Sequence, residues 1–365
     1  MLHEFGGADG GLAYGGLVMD AKGDLYGTTY KGGPNCAPVG CGVVYELSPP
    51  AAEGGNWIET VLYSFGANAS DGFWPLYGLT MDASGNLFGT TFQGGASCAK
   101  GASIGTVFKL TRPARPGSNW TETVLHSFCA SGDGHGPEGL LVLDAAGAVY
   151  GTTADGGAFP ASGCCGTVFK LSPPAKSGGP WTEAILHKFG AKAGDGIAAG
   201  DSLILDAHRN LCVTTASGGG VCDAFCGAVF ELSPPAVASG QWSETTLYSF
   251  GGPGSLGISP IGAMVMDAKG NLYGTNEAAG GGGNCATQMG NGCGAVFELS
   301  PPSQPGLAWT AKSLHSFGAL RGDGALPFAG PILDPTGNLY GVAFYGGAKC
   351  NLSAQGCGVV FELSP

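Results

Sequence analysis

The sequence predicts an all-β fold, a six-bladed β-propeller that forms a single domain over residues 1–365. One motif recurs along the whole chain in six repeats of about 62 residues, and each repeat contains four strand-like runs. Four short antiparallel strands per repeat, repeated radially, are typical of a propeller. The 70 glycines and 23 prolines fit many short strands joined by tight turns.

The repeated motif has the form Asn-Leu-Tyr-Gly-Thr-Thr. Its aromatic position falls at residues 26, 88, 150, 212, 273 and 340, and only Cys212 departs from an aromatic side chain there. This near-constant spacing favours a propeller over a sandwich, whose strands do not repeat so regularly.

Each repeat contains four runs, which we name strands A to D. In the first repeat these are Gly16–Asp20, Leu25–Tyr30, Gly42–Leu47 and Trp57–Phe65. A Gly-Gly loop joins B to C, and Ser-Pro-Pro follows C. Because proline cannot donate a hydrogen bond to a ladder, Ser-Pro-Pro marks the end of the C strand.

The two ends of the chain look complementary. The last repeat stops after its C strand, Val359–Leu363, whereas the chain begins with Leu2–Phe5, which matches the end of a D strand such as Leu125–Phe128. We therefore expect Leu2–Phe5 to pair beside Val359–Leu363 and complete the last blade. Ring closure of this kind removes an exposed sheet edge.

Several motifs together carry a family resemblance: Asp-Gly-x-x-Pro, as in Asp71–Pro75, then Asn-Leu-Tyr-Gly-Thr-Thr, Gly-Gly and Gly-x-Val-Phe-x-Leu. With them the chain resembles the GloVer-type tandem-repeat family, the choice-of-anchor tandem repeat proteins of bacteria, over nearly all of its length. The resemblance implies a secreted or cell-surface protein, although residues 1–5 do not read as a leader peptide. It implies no established activity, so no catalytic residue is carried over.

Composition excludes two classes of partner. The net charge is −12 and no cluster of Lys or Arg occurs, which argues against nucleic acid because phosphate binding needs a basic surface. No run of about 18 apolar residues is present, so no membrane span is expected.

Thirteen cysteines, most of them between strands B and C, favour disulfides and an oxidising compartment over zinc, because the spacings do not suit a zinc site. We expect four local pairs: Cys36 with Cys41, Cys222 with Cys226, Cys285 with Cys293, and Cys350 with Cys357. Cys98 is within reach of Cys129 if both loops share one face, the vicinal Cys164 and Cys165 stand at the third repeat's pair, and Cys212 is expected to be a buried free thiol.

The expected ligand-binding face consists of the D–A and B–C loops. Phe73, Trp74 and Tyr77 lie in one D–A loop, where aromatic faces suit stacking on sugar rings. The alternative is that these rings only pack the loops against one another. We add three loop residues to the same face: Asp133, His135 and Asp195.

Two further patterns favour structural roles. Asp-Gly recurs in the D–A loops, and an Asp-Gly turn is favoured over a Ca²⁺ site, so no cofactor or metal is predicted. A second set of Asp residues, one before each A–B turn, suits turn capping. Four histidines fall on D strands where Tyr63 and Tyr248 stand in other repeats, and this interchange favours packing over proton transfer.

The sequence thus favours a non-catalytic extracellular module that binds a glycan or a cell-surface protein. One alternative is a polysaccharide lyase or hydrolase that uses the carboxylates of Asp133, Asp195 or Glu138 with His135. Another is a structural subunit of a surface layer or fibre, which the low charged fraction of 12% and the disulfides would suit.

Overall fold

A computed structural model of the chain is all-β, with six small antiparallel sheets arranged as a six-bladed β-propeller, and it confirms the predicted fold class. The chain divides into two compact units, Met1–Leu186 and His187–Pro365. The structure describes residues 2–52, 54–96, 104–115, 117–129, 133–158, 165–176, 178–192, 194–220, 226–237, 240–252, 256–278, 286–287, 290–304, 306–318, 323–347 and 358–364.

The first unit holds the first two sheets and the third as far as Leu186. The first sheet has the order β1 (Val18–Met19), β2 (Leu25–Thr29), β3 (Val43–Ser48), β4 (Ile58–Ser64). The second has the order β6 (Thr80–Met81), β7 (Leu87–Thr91), β9 (Thr106–Thr111), β10 (Thr121–Ser127), and β5 (Gly72–Phe73) pairs separately with β8 (Gln93–Gly94). The third comprises β11 (His135–Leu143), β12 (Val149–Asp155), β13 (Thr167–Ser172) and β14 (Thr182–Lys188).

The second unit begins within β14 and holds the remaining sheets. The fourth comprises β15 (Gly196–Leu205), β16 (Leu211–Gly218), β17 (Ala228–Ser233) and β18 (Ser243–Ser249). The fifth has β19 (Ile258–Met266), β20 (Leu272–Ala278), β23 (Ala295–Ser300) and β24 (Thr310–Ser316), with a small β21 (Ala286–Thr287) and β22 (Gly290–Asn291) pair beside it. The last has β25 (Ile332–Leu333), β26 (Leu339–Ala343) and β27 (Val359–Leu363).

The glycine of the repeated motif is explained by a ring of the neighbouring C strand. Gly89 of β7 pairs with Phe108 of β9, and a Cβ added at Gly89 would lie 2.6 Å from the Phe108 ring. Because any side chain there would displace the ring, only glycine lets the aromatic side chain of strand C lie flat over strand B.

Aromatic contacts then join each repeat to the one before it. The phenylalanine that ends a D strand meets the C-strand ring of the following repeat edge-to-face: Phe65 on Phe108 at 5.0 Å between ring centroids, and Phe250 on Phe297 at 5.2 Å. These rings are fully buried, so the cores lie between consecutive sheets rather than within one sheet.

Among the described residues, Leu2–Phe5 does not form the predicted fourth strand of the last blade. Residues 2–5 form no strand, and the last sheet consists of β25, β26 and β27. Instead, Phe5 packs on Tyr45 of β3 at 4.9 Å. The side chain of Val360 on β27 is 80% exposed, whereas its counterpart Val44 is fully buried.

Ladder geometry gives the physical reason. In the first sheet, β4 is the D strand and pairs with β3. A β-bulge interrupts this pairing near the end of β4, and only Tyr63 and Ser64 of β4 pair beyond the bulge. Leu2–Phe5 matches only this end, so it lacks the longer run before the bulge that holds the end of the other D strands in register. It keeps the side-chain contacts of a D-strand end without the backbone pairing.

The predicted cysteine chemistry is supported where the structure describes it. Cys36 and Cys41 form a disulfide, and Cys129, Cys165, Cys226 and Cys293 are also disulfide-bonded. The other members of the predicted pairs fall outside the described residues: Cys98, Cys164, Cys222, Cys285, Cys350 and Cys357. As predicted, Cys212 is a buried free thiol, and burial raises its pKa to about 12.

A last feature of the fold concerns membranes. Within the part of the chain that the structure describes, no helix is long and apolar enough to cross a bilayer.

Candidate functional site

Four aromatic residues of the first unit form a continuous chain of ring contacts, which we call the aromatic cluster: Tyr14, Tyr30, Phe73 and Trp74. The ring centroids of Tyr14 and Tyr30 are 6.0 Å apart, those of Tyr30 and Trp74 5.5 Å, and those of Phe73 and Trp74 5.2 Å. Tyr14 is 66% exposed, whereas Tyr30, Phe73 and Trp74 are half-buried. The cluster therefore extends from the core to the surface.

Backbone contacts hold the cluster in place. Trp74 follows β5, donates its backbone N–H to the carbonyl of Cys41 (2.8 Å), and directs its indole N–H towards the carbonyl of Gly40 (3.4 Å). Phe73 packs against the buried core between the first two sheets. The ammonium group of Lys31 lies 5.4 Å from the centre of the Tyr30 ring, so a positive charge faces the cluster.

The left-handed backbone of Trp74 belongs to the repeat rather than to this residue. Its φ of 64° is matched by Leu12 (58°), Ser259 (54°) and Leu326 (58°) at equivalent positions. The loop therefore imposes the same backbone on different side chains. What distinguishes the second repeat is the indole ring at this position.

The six residues predicted to bind ligand make different contacts. Phe73 and Trp74 touch, but the contact described for Tyr77 is made by its backbone carbonyl, which accepts a hydrogen bond from the Thr28 hydroxyl (2.9 Å). His135 lies 3.6 Å from Asp155. Asp133 and Asp195 pair with different histidines: the first with His126 at 3.2 Å, the second with His187 at 3.4 Å.

These pairs belong to a repeated constellation that was not predicted from the sequence. A histidine near the end of a D strand meets the aspartate of the following D–A loop and a glutamate at the start of the next D strand. We call these the His-Asp-Glu clusters. Their potential ligand atoms lie within 4.8 Å of one another, and three are complete among the described residues: His3, Asp9 and Glu59; His126, Asp133 and Glu183; His187, Asp195 and Glu244.

Packing fixes the histidine of each cluster. The His126 ring lies edge-on to Phe128 at 4.7 Å, which directs Nε2 towards Asp133 at 3.2 Å and Glu183 at 3.6 Å. The backbone N–H of Cys129 points at both carboxylate oxygens of Asp133 from 3.3 Å. Three segments from two consecutive repeats therefore meet at one imidazole nitrogen.

The His187 cluster is the most deeply buried. The side chain of Asp195 is 1% exposed and that of Glu244 is 5% exposed, and both carboxylates lie within 3.4 Å of His187 Nε2. Burial by itself lowers the pKa of His187, but the two carboxylates outweigh it and raise the pKa to about 9. Lys192 adds a second positive charge, 3.0 Å from Glu244.

Other repeats carry altered versions of the constellation. In one, Tyr63 replaces histidine and its hydroxyl donates to Asp71 (2.9 Å), while burial and the charge of Asp71 raise the pKa of Glu122 to about 7. In another, the histidine and both acids are all replaced. Tyr248 stands at the histidine position, Leu256 and Ala311 stand at the two acid positions, and all three pack against an apolar core. Where the loop aspartate is lost, the glutamate is lost too.

The sequence did contain a signal for these clusters. A glutamate stands four residues before the D-strand histidine or tyrosine at Glu59, Glu122, Glu183 and Glu244. In the fifth repeat this glutamate is replaced by Ala311, and the aspartate of the Asp-Gly loop is replaced by Leu256. The loss of both acids in the same repeat indicates that they act together. The second set of Asp residues, by contrast, caps turns in all six repeats as predicted; Asp20, for example, accepts from the backbone N–H groups of Lys22 and Asp24.

A groove of about 890 Å³ lies between the last two sheets, within the second unit. Two of its acids, Asp267 and Asp334, are turn caps whose oxygens accept backbone N–H groups. Its lining also includes Lys269 and Lys312 beside Glu298. The groove therefore carries charges of both signs, and two of its acids already accept turn hydrogen bonds. This lining does not indicate a catalytic site.

A family model decides the affiliation of the chain. The model described as the Gloeobacter/Verrucomicrobia repeat matches residues 1–162, 39–289 and 162–365. The chain belongs to this repeat family. Membership in the Gloeobacter/Verrucomicrobia repeat family confirms the predicted repeat, and no curated protein sequence matches the chain.

Several solved structures are similar to this family member. The periplasmic gluconolactonase PpgL of Pseudomonas aeruginosa has a TM-score of 0.52 and 14% identity, covering 95% of this chain and 87% of that chain. The Hadza microbial sialidase Hz136 has a TM-score of 0.43, 12% identity and coverage of 84% and 59%. The α-L-arabinanase of Cellvibrio cellulosa has a TM-score of 0.40, 11% identity and coverage of 80% and 93%. At these identities, only the gluconolactonase match supports the fold, and none indicates an activity.

Proposed function

We propose that this protein is an extracellular, non-catalytic module that binds a neutral glycan through the aromatic cluster. The observation that carries the proposal is the unbroken run of ring contacts from Phe73 and Trp74 to the largely exposed Tyr14. Sugar rings present apolar C–H faces and polar edges, and aromatic rings with polar handles complement both.

The polar groups of the cluster suit hydroxyl-rich ligands. The phenol groups of Tyr14 and Tyr30 and the ammonium of Lys31 supply donors beside the ring faces. The net charge of −12 opposes polyanionic ligands, which is why the proposal specifies a neutral glycan.

The extracellular assignment is supported by the disulfides. Cys36–Cys41 and four further disulfide-bonded cysteines occur among the described residues. Disulfides persist in oxidising compartments and are rare in the reducing cytosol. The family resemblance to secreted proteins points the same way.

The non-catalytic assignment is supported by the environment of the loop carboxylates. A glycosidase needs two carboxyl groups that face each other across the scissile bond. Asp133 and Asp195 each pair with a separate histidine, His126 and His187, and His135 pairs with Asp155. Two acids of the enzymatic alternative, Asp133 and Asp195, are thus engaged in contacts between consecutive strands and loops.

The test is a panel of polysaccharides incubated with the pure protein, with retained protein and released reducing ends both measured. Trp74→Leu is the informative variant, because Leu12 and Leu326 already occupy the equivalent left-handed position and the loop should keep its shape. We expect retention without cleavage, and at least a tenfold loss of affinity in Trp74→Leu, which corresponds to about 1.4 kcal/mol.

The matched control is Phe344→Leu, which removes another largely exposed ring, in the second unit. Equal losses in both variants would indicate non-specific adhesion and contradict the proposed site. Newly released reducing ends would contradict the non-catalytic assignment. Retention by no polysaccharide would overturn the glycan proposal.

A further inference from the structure

The His-Asp-Glu clusters have a donor composition that the glycan proposal does not use. Each brings one imidazole nitrogen and two carboxylates together from three separate segments. Imidazole and carboxylate together suit Zn²⁺ and similar divalent transition ions, whereas Ca²⁺ prefers oxygen ligands alone. We propose that the three complete clusters are divalent transition-metal sites, with Zn²⁺ as the best-fitting ion.

Distances within the clusters match a coordination sphere. At zinc–ligand bonds of 2.0–2.1 Å, tetrahedral geometry places neighbouring ligand atoms about 3.3 Å apart. The separation from the histidine Nε2 is 3.1 Å to Asp9, 3.2 Å to Asp133 and 3.6 Å to Glu183. All potential ligand atoms of one cluster lie within 4.8 Å of one another.

The buried glutamate oxygens of two clusters supply the second observation. Glu59 Oε1 is buried and accepts no hydrogen bond, and Glu244 Oε2 is buried with the His187 imidazole as its partner. Glu244 Oε2 lies only 2.8 Å from His187 Nε2, in a side chain that is more than nine-tenths buried. A buried acceptor without a donor is costly, so a cation would satisfy Glu59 Oε1. Between Glu244 Oε2 and His187 Nε2, a cation would take the place of the shared proton.

The repeats themselves provide an internal comparison. At the Tyr248 position the acids are replaced together by Leu256 and Ala311, so the whole donor set is absent. At the Tyr63 position both acids remain, Asp71 and Glu122, and only the imidazole is missing. The proposal therefore predicts no metal at either place in the natural protein.

Metal binding would cross-link consecutive repeats. In the second cluster the ion would join β10, through His126, to the following loop, through Asp133, and to β14, through Glu183. An ion that binds only the folded state stabilises it in proportion to its occupancy. The role is thus structural, and it is independent of the aromatic cluster.

The experiment measures metal stoichiometry on the full, untagged chain after treatment with a chelator, by calorimetric titration with Zn²⁺ and by metal analysis after dialysis. We expect up to three equivalents per chain, one for each complete cluster, and a rise in the unfolding temperature with Zn²⁺ but not with Ca²⁺. His126→Tyr installs the residue that two repeats carry naturally, and it should remove one equivalent.

The reverse variant is a gain-of-site test. Tyr63→His completes the constellation with Asp71 and Glu122, and it should add one equivalent. His208→Ala is the matched control, because the His208 side chain is 86% exposed and belongs to none of the three clusters, and the stoichiometry should not change.

Unchanged stoichiometry in both His126→Tyr and Tyr63→His would overturn the proposal. So would an absence of Zn²⁺ binding in the natural chain, which would leave protonated histidine as the counter-charge of the acids. If His126→Tyr failed to fold, as judged by circular dichroism, Asp133→Asn and Tyr63→His would decide the question. Loss of Zn²⁺ without loss of glycan retention would separate this proposal from the glycan site.

Discussion

Replacing Glu122 by glutamine should stabilise the protein above neutral pH. Glu122 and Asp71 are two acids of one altered cluster, in which Tyr63 supplies no positive charge. Asp71 is buried, and its Oδ1 accepts no hydrogen bond. Glutamine keeps the shape of Glu122, removes its charge and offers an amide N–H to the vicinity of Asp71.

The magnitude follows from the pKa of Glu122, which burial and the charge of Asp71 raise from 4.5 to about 7. Full ionisation at pH 8 then costs the folded state about 3 kcal/mol, since one pKa unit is worth 1.36 kcal/mol. Glu122 is only partly buried, so solvent screening reduces the expected gain to about 1–2 kcal/mol.

The sign depends on pH. An acid whose pKa is raised in the folded state holds its proton more tightly there, so its favourable contribution is complete below pH 4.5 and is lost as pH rises through about 7. Glu122→Gln should therefore match the natural protein near pH 4.5 and exceed it by about 1–2 kcal/mol at pH 8.

The assay is urea unfolding at both pH values in the presence of a chelator. The control is Glu244→Gln at the equivalent position, where the acid pairs with His187 and Lys192; it should lose about 2 kcal/mol or more because it leaves positive charges without their partner. If Glu122→Gln destabilised the protein at pH 8, or if both variants shifted stability in the same direction, the reasoning would be refuted.

Three further predictions concern the fold. Because the folded pKa of His187 is raised from 6.5 to about 9, its ion pairs stabilise the protein fully below pH 6.5, and this stabilisation is lost as pH rises through 9. His187→Gln should therefore flatten the dependence of the unfolding temperature on pH between 6.5 and 9, as measured by thermal melts. Gly89→Ala should cost about 1–3 kcal/mol in chemical unfolding because its Cβ meets the Phe108 ring, whereas Gly16→Ala, which meets no atom within 4 Å, should not show this steric cost. The single domain predicted over residues 1–365 should give one calorimetric transition, and two resolved transitions would contradict it.

The sequence by itself determined the architecture of this protein. The motif interval, the four runs in each repeat and the Ser-Pro-Pro stops are local, and together they specify six small antiparallel sheets. The same holds for the Asp20 type of turn cap and for the Cys36–Cys41 disulfide, because their partners lie within a few residues. Cys212 was also predictable, since it stands at the buried aromatic position of the motif.

Only the tertiary structure decided which side chains meet. His126 and Glu183 are distant in sequence, and nothing local indicates that the D strands of consecutive repeats bring them within 3.6 Å. Asp133 and His135 are nearly adjacent in sequence but pair with different partners. Asp133, in the D–A loop, meets His126 of β10, whereas His135, the first residue of β11, meets Asp155 at the end of β12. The same holds for Leu2–Phe5, which forms no strand: the rest of a D strand, before the bulge, is absent from this segment, and the match of a short motif does not show whether its end pairs without that part.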